Sequence, residues 1–353
     1  MTVKNITLIV GTRPQIIKSR TLVRSLCKHG FKTDVIDTGQ HYDHGMSGVF
    51  FSDFDSDISV RHLNIKPGTS SAQLSEIISK LGVILQKDRP DLVIVPGDTT
   101  SALAAAIATV KCSVKLAHLE AGGRSIHTRM QEEINRRLID HASDILFAPT
   151  KSWSVNLKNE NVPGTVYFVG DTMYDLFLEE YQEHGLESIR NSPSNQILVT
   201  LHRAEKITDR DSLAQVCDFV NSFKGIGFDL IFPVHPHTKK RLDEFGLELD
   251  ARLLDPVDHI TMMKLVAQSS LVVTDSGGLQ KEAYWMSKPC IAVHETFEWK
   301  ELVDRRANFP VWPDKPIATS KIRDIVNAKF MPEPSLFGAG DASEKISGIL
   351  EMQ

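Results

Sequence analysis

The chain has 353 residues, enough for two domains of ordinary size, and 41% of them are hydrophobic, as in a globular protein. The formal net charge is −5 and the pI is about 6.2, which argues against a nucleic-acid-binding face. An anionic ligand must therefore be held by a few local cationic groups and by helix N-termini.

Strand-like and helix-like runs alternate along the whole chain. The first half predicts strands at 5–11, 32–39, 91–98, 114–122 and 144–150, separated by helices at 16–29, 70–88, 100–112 and 131–142. The second half predicts strands at 196–203, 229–236, 251–257, 270–278 and 289–295, separated by helices at 209–224, 238–246, 258–268 and 279–287. Continuously hydrophobic strands joined by helical crossovers indicate parallel sheets covered on both faces.

We therefore predict an α/β fold of two Rossmann-like, doubly wound domains, residues 1–171 and 172–335. The boundary falls near "VYFVGDTMYDLF", where Asp171 is a candidate helix N-cap. Ligands of such sheets bind beyond the carboxyl ends of the strands. With two sheets facing each other, we expect the site in the cleft between the domains.

Polar clusters of the first domain follow its strands. "GTRPQIIK" has Arg13 and Lys18 beside a helix start, with Pro14 in the first turn and Gly11 permitting a tight turn. "GDTTS" has Asp98 at a strand end, where a helix N-cap is by itself the favoured interpretation.

Further acids follow the next strand. "HLEAGGRS" has Glu120 at a strand end, and Glu132 and Glu133 open the following helix. Acids in a first helical turn commonly just complement the helix dipole, so this pair alone is weak support for catalysis.

In the second domain, "LHRAEK" and "PVHPHT" have His202 and His235 at strand ends. "TDSGGLQKEAYWM" reads strand, glycine turn, helix, the arrangement that directs free backbone N–H groups at an anion. It is equally an ordinary strand-to-helix connection, and only its place at a strand end of a second α/β domain favours the anion site.

Several kinds of site are disfavoured by missing motifs. The chain lacks a G-x-G-x-x-G dinucleotide motif, an H-E-x-x-H zinc motif and a G-x-S-x-G nucleophile turn, so we predict no nicotinamide cofactor and no metal. The remaining acids, histidines and glycine turn suit acid–base chemistry on a phosphorylated or nucleotide-bearing ligand.

The four cysteines predict the compartment. Cys27, Cys112, Cys217 and Cys290 are far apart and form no C-x-x-C pair, so reduced thiols are expected. The N-terminal apolar run is too short for a signal peptide, and no stretch approaches the ~18 apolar residues of a membrane helix. We expect a cytoplasmic protein without a membrane partner.

Taken together, the motifs resemble the non-hydrolysing UDP-N-acetylglucosamine 2-epimerase family. The matching segments are "GTRPQIIK", "TGQHYD", "GDTTSALAAA", "HLEAGGRS", "EEINR", "VGDTMYD", "HRAE", "DSGGLQKEA" and "PCIAVHETFEW". The resemblance implies two Rossmann-like domains in the GT-B arrangement, a homodimer, and a last helix, about 340–353, that packs back on the first domain.

The implied reaction converts UDP-GlcNAc to UDP-ManNAc without a cofactor, by loss of the C2 proton and of UDP to a 2-acetamidoglucal and by re-addition on the other face. The implied catalytic residues are Asp98, Glu120, Glu132 and His202. Glu120 and Glu132 are expected to handle protons, Asp98 to orient them, and His202 to assist the leaving diphosphate. The implied UDP-binding residues are Arg13, Lys18, His202, His235, Ser276, Gly277, Gly278 and Glu282.

Departures from the family pattern leave the substrate open. The family usually has Glu where this chain has Gln15, Leu where it has Gly123 and Pro where it has Gln131. It usually has Asn where this chain has Lys206, and an acid where it has Lys281. "HRAE" and "EW" look more like the branch that acts on UDP-2,3-diacetamido-2,3-dideoxyglucuronate. Lys206 or Lys281 would suit the carboxylate of that substrate. The favoured interpretation of both is nevertheless a solvated surface lysine. Two further functions are disfavoured. A GT-B glycosyltransferase would not need acids at Asp98, Glu120 and Glu132 together, and an inactive nucleotide-sugar-binding protein would not need all four catalytic positions to be occupied.

Overall fold

The computed structural model describes residues 3–39, 58–192, 194–201, 209–223, 227–234, 236–293, 299–312 and 317–353. The chain forms two compact units, Met1–Glu179 with Pro334–Gln353, and Glu180–Glu333. The division falls after Glu179 rather than after the predicted residue 171.

The first unit is built on one parallel sheet of seven strands. The strands are β1 Asn5–Val10, β2 Lys32–Asp37, β3 Ser59–His62, β4 Leu92–Pro96, β5 Lys115–Leu119, β6 Ile145–Ala148 and β7 Thr165–Phe168. Their spatial order is β3-β2-β1-β4-β5-β6-β7. The helices are α1 Arg13–Lys28, α2 Ser70–Asp88, α3 Thr100–Lys111, α4 Gln131–Ala142, α5 Lys151–Asn159 and α6 Thr172–Glu183, whose last four residues belong to the second unit.

Both faces of this sheet are covered, because successive side chains of a strand point to opposite faces. Leu8 and Val10 of β1 pack in one hydrophobic cluster, which includes residues of α1, and Ile9 packs in the other, which includes residues of α2 and α3. Asp171 accepts a hydrogen bond from the Met173 N–H at 2.9 Å, so it caps α6 as expected.

The second unit has a parallel sheet of six strands in the order β10-β9-β8-β11-β12-β13. The strands are β8 Gln196–Thr200, β9 Asp229–Pro233, β10 Arg252–Leu254, β11 Ser269–Thr274, β12 Cys290–Ala292 and β13 Asn308–Pro310. The helices are α7 Leu186–Arg190, α8 Arg210–Asn221, α9 Pro236–Phe245, α10 His259–Gln268, α11 Gly277–Trp285, α12 Lys300–Asp304 and α13 Thr319–Val326. Two doubly wound parallel sheets therefore confirm the predicted fold class.

The last helix, α14 Ala342–Glu351, belongs to the first unit. Its residues Ile346 and Leu350 are buried in the cluster that also holds Leu22 and Leu26 of α1. The Asp175 carboxylate of α6 accepts hydrogen bonds from the first two N–H groups of α14, those of Ala342 and Ser343, at 3.0 and 2.7 Å. A buried carboxylate therefore satisfies the start of this helix.

Candidate active site

The strand order of each sheet reverses at one place, and such a switch point is where open α/β sheets bind ligands. In the first sheet it lies between β1 and β4, and in the second it lies between β8 and β11. The segments that follow these four strands carry four of the polar motifs, "GTRPQIIK", "GDTTS", "HRAEK" and "DSGGLQKEA".

In the first unit, Gln15 joins the ends of β1 and β4. Its Oε1 accepts the N–H groups of Gly11 and Thr12, at 2.8 and 3.1 Å. Its Nε2 donates to the Pro96 carbonyl at 2.6 Å and to Thr99 Oγ1 at 3.0 Å. A glutamine can accept and donate at once, which a carboxylate cannot, so the departure from Glu at this position has a structural reason.

Gly11 is required here for space rather than for a positive φ. The hydroxyls of Thr38 and Ser101 are hydrogen-bonded at 2.7 Å, and a Cβ on Gly11 would overlap both of them. Arg13 follows as the half-buried first residue of α1.

Lys18 and Glu120 form an ion pair at the carboxyl edge of the first sheet. Both side chains are largely buried, with 12% and 18% of their surface exposed. Glu120 has a φ of 68°, a left-handed conformation that is uncommon for a residue with a side chain and is found often at functional sites. Gly97 leaves room for this pair, since a Cβ there would lie 3.1 Å from Lys18 Nζ.

Asp98 is fixed by α4 rather than by the helix that follows it. Its Oδ2 accepts from Nε and Nη2 of Arg136, both at 2.7 Å, and its carbonyl accepts from Asn135 at 2.8 Å. The N-cap of α3 is Thr99, whose side chain accepts the Ala102 N–H at 3.1 Å. The interpretation of Asp98 as a helix N-cap is therefore wrong.

The two acids that open α4 lie in opposite environments. Glu132 is exposed, whereas Glu133 is fully buried and accepts from the Ser125 N–H at 2.9 Å and from Arg137 Nε at 2.8 Å. Glu132 precedes Asn135 and Arg136 by three and four residues, so it shares the helix face that contacts Asp98. Glu133 is a structural acid that also lies 3.5 Å from Arg136.

Asn135 and Arg136 were not singled out from the sequence. Their spacing from Glu132 was the available signal, because a helix that presents Glu132 presents them on the same face.

In the second unit, Thr200 and Thr274 join the ends of β8 and β11 through a hydroxyl–hydroxyl hydrogen bond of 2.7 Å. Among the predicted residues of this unit, His202, which follows β8, and His235, which follows β9, lie outside the described residues, as does Lys206. Their roles remain predictions.

The glycine turn is the beginning of a helix. Ser276 is the N-cap of α11, and Gly277 and Gly278 are its first two residues, so their N–H groups belong to the unsatisfied helix terminus. Across the parts of the chain that the structure describes, neither N–H donates a hydrogen bond. Trp299 Nε1 donates to the Gly277 carbonyl at 3.1 Å and so fixes the orientation of the first peptide of the helix.

Glu282 is the sixth residue of α11, in the second turn rather than the expected first turn, because the helix begins at Gly277. Its side chain is 4% exposed and its Oε1 lies 2.7 Å from Nε2 of His259. Nδ1 of His259 lies 2.8 Å from Oε2 of Glu180.

Burial lowers the pKa of His259, but the charges of Glu282 and Glu180 and the close contacts of the imidazole with both carboxylates outweigh it and raise the pKa of His259 to about 10. His259 is therefore an imidazolium at neutral pH. His259 was not singled out from the sequence. The available signal was its place in a first helical turn, where a charged histidine is unfavourable unless an acid lies nearby.

Lys281 is not a solvated surface residue, and that interpretation was wrong. It is 2% exposed, and its Nζ lies 4.7 Å from the ring centroid of Trp299 and 5.9 Å from that of Trp285. Aromatic faces stabilise a cation held in this way.

The arrangement offers two kinds of chemistry. At the carboxyl ends of the neighbouring strands β4 and β5, Asp98 and Glu120 are carboxylates held by cationic partners. The α11 terminus offers N–H groups to an anion. In the described ranges there is no metal-binding group of three or more His, Cys, Asp and Glu side chains, and no helix has the length and apolarity needed to cross a membrane.

Residues 24–351 match the family model described as UDP-N-acetylglucosamine 2-epimerase. The chain belongs to this family. The resemblance predicted from the motifs is thereby confirmed, and so is the class of enzyme, a nucleotide-sugar isomerase.

Three relatives illustrate the similarity. A UDP-N-acetylglucosamine 2-epimerase homolog of Methanococcus maripaludis is 38% identical over 97% of this chain and 98% of its own. The UDP-2,3-diacetamido-2,3-dideoxy-D-glucuronate 2-epimerase of Pseudomonas aeruginosa is 36% identical over the same shares. The crystal structure of Methanocaldococcus jannaschii UDP-GlcNAc 2-epimerase in complex with UDP-GlcNAc and UDP has a TM-score of 0.89, with 33% identity over 99% of this chain and all of that one. The GT-B fold class is confirmed as well.

Proposed function

We propose that this protein is a UDP-N-acetylglucosamine 2-epimerase that interconverts UDP-GlcNAc and UDP-ManNAc. One observation carries the proposal. The chain belongs to this epimerase family, and its Asp98 and Glu120 lie at the ends of two hydrogen-bonded strands. Arg136 holds Asp98, and Lys18 holds Glu120, each from another element. Acid–base chemistry at a sugar carbon needs such fixed carboxylates.

The reaction passes through an elimination and a re-addition. One carboxylate takes the C2 proton while the C1–O bond breaks and its electron pair leaves on the β-phosphate oxygen of UDP. A C1–C2 double bond forms, giving 2-acetamidoglucal. Return of UDP to C1, with protonation of C2 on the opposite face, gives the epimer. We assign the two proton transfers to Glu120 and Glu132, with Asp98 orienting the cluster.

Cations and helix N–H groups stabilise the leaving diphosphate. We assign this role to Arg13, Lys18 and the N–H groups of Gly277 and Gly278 at the start of α11, with Ser276 as its cap. We assign to Glu282 the hydrogen bonds that the ribose hydroxyls donate. The roles of His202 and His235 rest on the family resemblance alone. In this assignment the first unit supplies the acids and the two cations Arg13 and Lys18, and the second unit supplies the start of α11 and Glu282, without a cofactor.

The same mechanism on UDP-2,3-diacetamido-2,3-dideoxyglucuronate is the second candidate, favoured by the 36% identical relative from Pseudomonas aeruginosa. Lys281 gives no support to it, because this cation is buried against tryptophan rings. The substrate's carboxylate would need another cation.

Incubation in D2O with each UDP-sugar, followed at C2 by NMR, tests both candidates. Deuterium at C2 together with UDP-ManNAc supports the proposed activity, and the corresponding exchange with only the diacetamido-uronate supports the second. Transfer that requires an acceptor would identify a glycosyltransferase. Release of free ManNAc would identify a hydrolase, and no turnover would leave a binding protein.

We infer that the chain acts as a homodimer. Ile134 and Leu138, one turn apart on α4, are exposed apolar side chains, and a second copy could cover them. Light scattering should then give twice the chain mass of 39.4 kDa, and Leu138→Lys should lower it. A monomeric mass for the unaltered chain would contradict this inference.

We also infer a cytoplasmic location. All four cysteines are free thiols, and burial raises the pKa of Cys217 to about 11. Unpaired thiols suit a reducing compartment. Fractionation of the cells that make the protein tests this location.

A further inference from the structure

We propose that His259 is a positioning residue for nucleotide recognition, which holds the Glu282 carboxylate in the orientation that accepts hydrogen bonds from the ribose hydroxyls of UDP. The inference rests on the proposed function in taking a uridine nucleotide as the ligand. It assigns to His259 a task that the catalytic acids do not share.

The backbone at His259 is fixed by a helix cap. His259 is the first residue of α10, and the preceding Asp258 accepts the Thr261 N–H at 2.8 Å and the Thr261 hydroxyl at 2.9 Å. This cap holds the start of α10 while the helix packs against α11, which carries Glu282. The imidazole therefore approaches Glu282 from a rigid element.

The imidazole lies between two carboxylates. Nε2 is 2.7 Å from Oε1 of Glu282, and Nδ1 is 2.8 Å from Oε2 of Glu180 on α6. The side chains of His259, Glu180 and Glu282 are 16%, 8% and 4% exposed. The imidazolium lies between two buried carboxylates and offsets the repulsion between them.

The contact leaves Glu282 able to bind a ligand. His259 engages Oε1, and over the described stretches of the chain Glu282 makes no other hydrogen bond. A fixed donor on one oxygen restricts rotation of the carboxylate and so sets the direction of the second oxygen, which we assign to the vicinal hydroxyls of the ribose. Hydrogen bonds to a charged group are stronger than neutral ones, so this orientation affects affinity.

The test compares UDP with 2′,3′-dideoxy-UDP, which lacks the ribose hydroxyls, by calorimetry with the full chain. The unaltered protein should bind UDP roughly 10- to 100-fold more tightly than the dideoxy analogue. His259→Gln should reduce that ratio by about tenfold and leave the affinity for the analogue nearly unchanged. It should also raise KM for the UDP-sugar more than it lowers kcat.

His29→Gln is the matched control. His29 also lies between two carboxylates, Glu344 and Glu351, at 2.9 and 2.8 Å, but it belongs to the first unit, whereas α11 belongs to the second. Its substitution should leave the UDP-to-analogue ratio unchanged. If His259→Gln does not fold, Glu180→Gln, which keeps the imidazole but removes one of its anchors, should show a smaller reduction of the ratio.

An unchanged ratio in a folded His259→Gln variant, with only the melting temperature lowered, would show a structural role and overturn the inference. An unaltered protein that discriminates between the two nucleotides but gives no exchange at C2 would contradict the proposed epimerase while this inference stands. If the unaltered protein binds neither nucleotide, the proposed epimerase activity and the proposed role of His259 are both wrong.

Discussion

At the scale of single residues, the departures from the family pattern have local causes. Gly123 stands where leucine is usual, and a Cβ there would lie 2.7 Å from Cη2 of Trp153, so the indole ring occupies the space of the missing side chain. Gln15 replaces a glutamate and donates to the Pro96 carbonyl. Each exchange is compensated by a neighbour, and neither alters a carboxylate proposed to be catalytic.

The charge of His259 predicts a pH dependence of stability. Its pKa is raised from 6.5 to about 10 in the folded state, so its contribution is fully present below pH 6.5 and is lost as the pH rises toward 10. We expect His259→Gln to lower the free energy of unfolding at pH 6 by an amount on the order of a few kcal/mol. The difference from the unaltered chain should shrink between pH 6.5 and 10.

Chemical denaturation at a series of pH values measures this difference. A difference that is constant or grows from pH 6.5 to 10 would contradict the raised pKa.

At the scale of elements, α4 separates a catalytic from a structural acid within one turn. Glu132→Gln should leave the melting temperature unchanged and lower kcat by about 10²- to 10⁴-fold, as expected for loss of a general acid–base group. Glu133→Gln should instead destabilise the fold by about 1–3 kcal/mol, because a fully buried acceptor of hydrogen bonds from Ser125 and Arg137 loses its charge.

Paired measurements of kcat and melting temperature on the two variants test this assignment. The reverse outcome, with Glu132→Gln unstable and Glu133→Gln stable but inactive, would exchange the roles of the two acids.

The start of α11 depends on a neighbouring tryptophan. Trp299→Phe removes the hydrogen bond to the Gly277 carbonyl and keeps an aromatic ring near Lys281. We expect the Kd for UDP to rise by roughly 3- to 10-fold, the effect of losing one hydrogen bond of about 1 kcal/mol. Calorimetry measures it, and a Kd equal to that of the unaltered chain would show that this bond does not orient the helix start.

At the scale of the whole molecule, the chain returns to its first unit with α14. Leu350→Ala should destabilise that unit by about 2–5 kcal/mol, because it leaves a cavity in a fully buried position. Met352→Ala, two residues on and exposed, is the control and should change stability by less than about 0.5 kcal/mol. Thermal unfolding followed by calorimetry measures both variants, and equal effects would contradict the packing of α14.

Much of the fold follows from the sequence because it rests on local patterns. Long hydrophobic strands and periodic helices, such as β4 and α2, were predicted within a few residues of their observed bounds. The short edge strands β3, β7 and β13 were missed. They have three or four residues and are only partly buried, so their hydrophobic pattern is too weak to predict a strand.

The sequence by itself determined two parallel α/β sheets, the family, and the strand ends where the polar groups lie. Only the tertiary structure decided what each charged group contacts. Asp98 pairs with Arg136 instead of capping α3, Glu133 is buried beside an exposed Glu132, and Lys281 lies under tryptophan rings. The physical reason is range: strands and helices follow from residues a few positions apart, whereas these contacts join residues distant in the chain or depend on which face of a helix is covered.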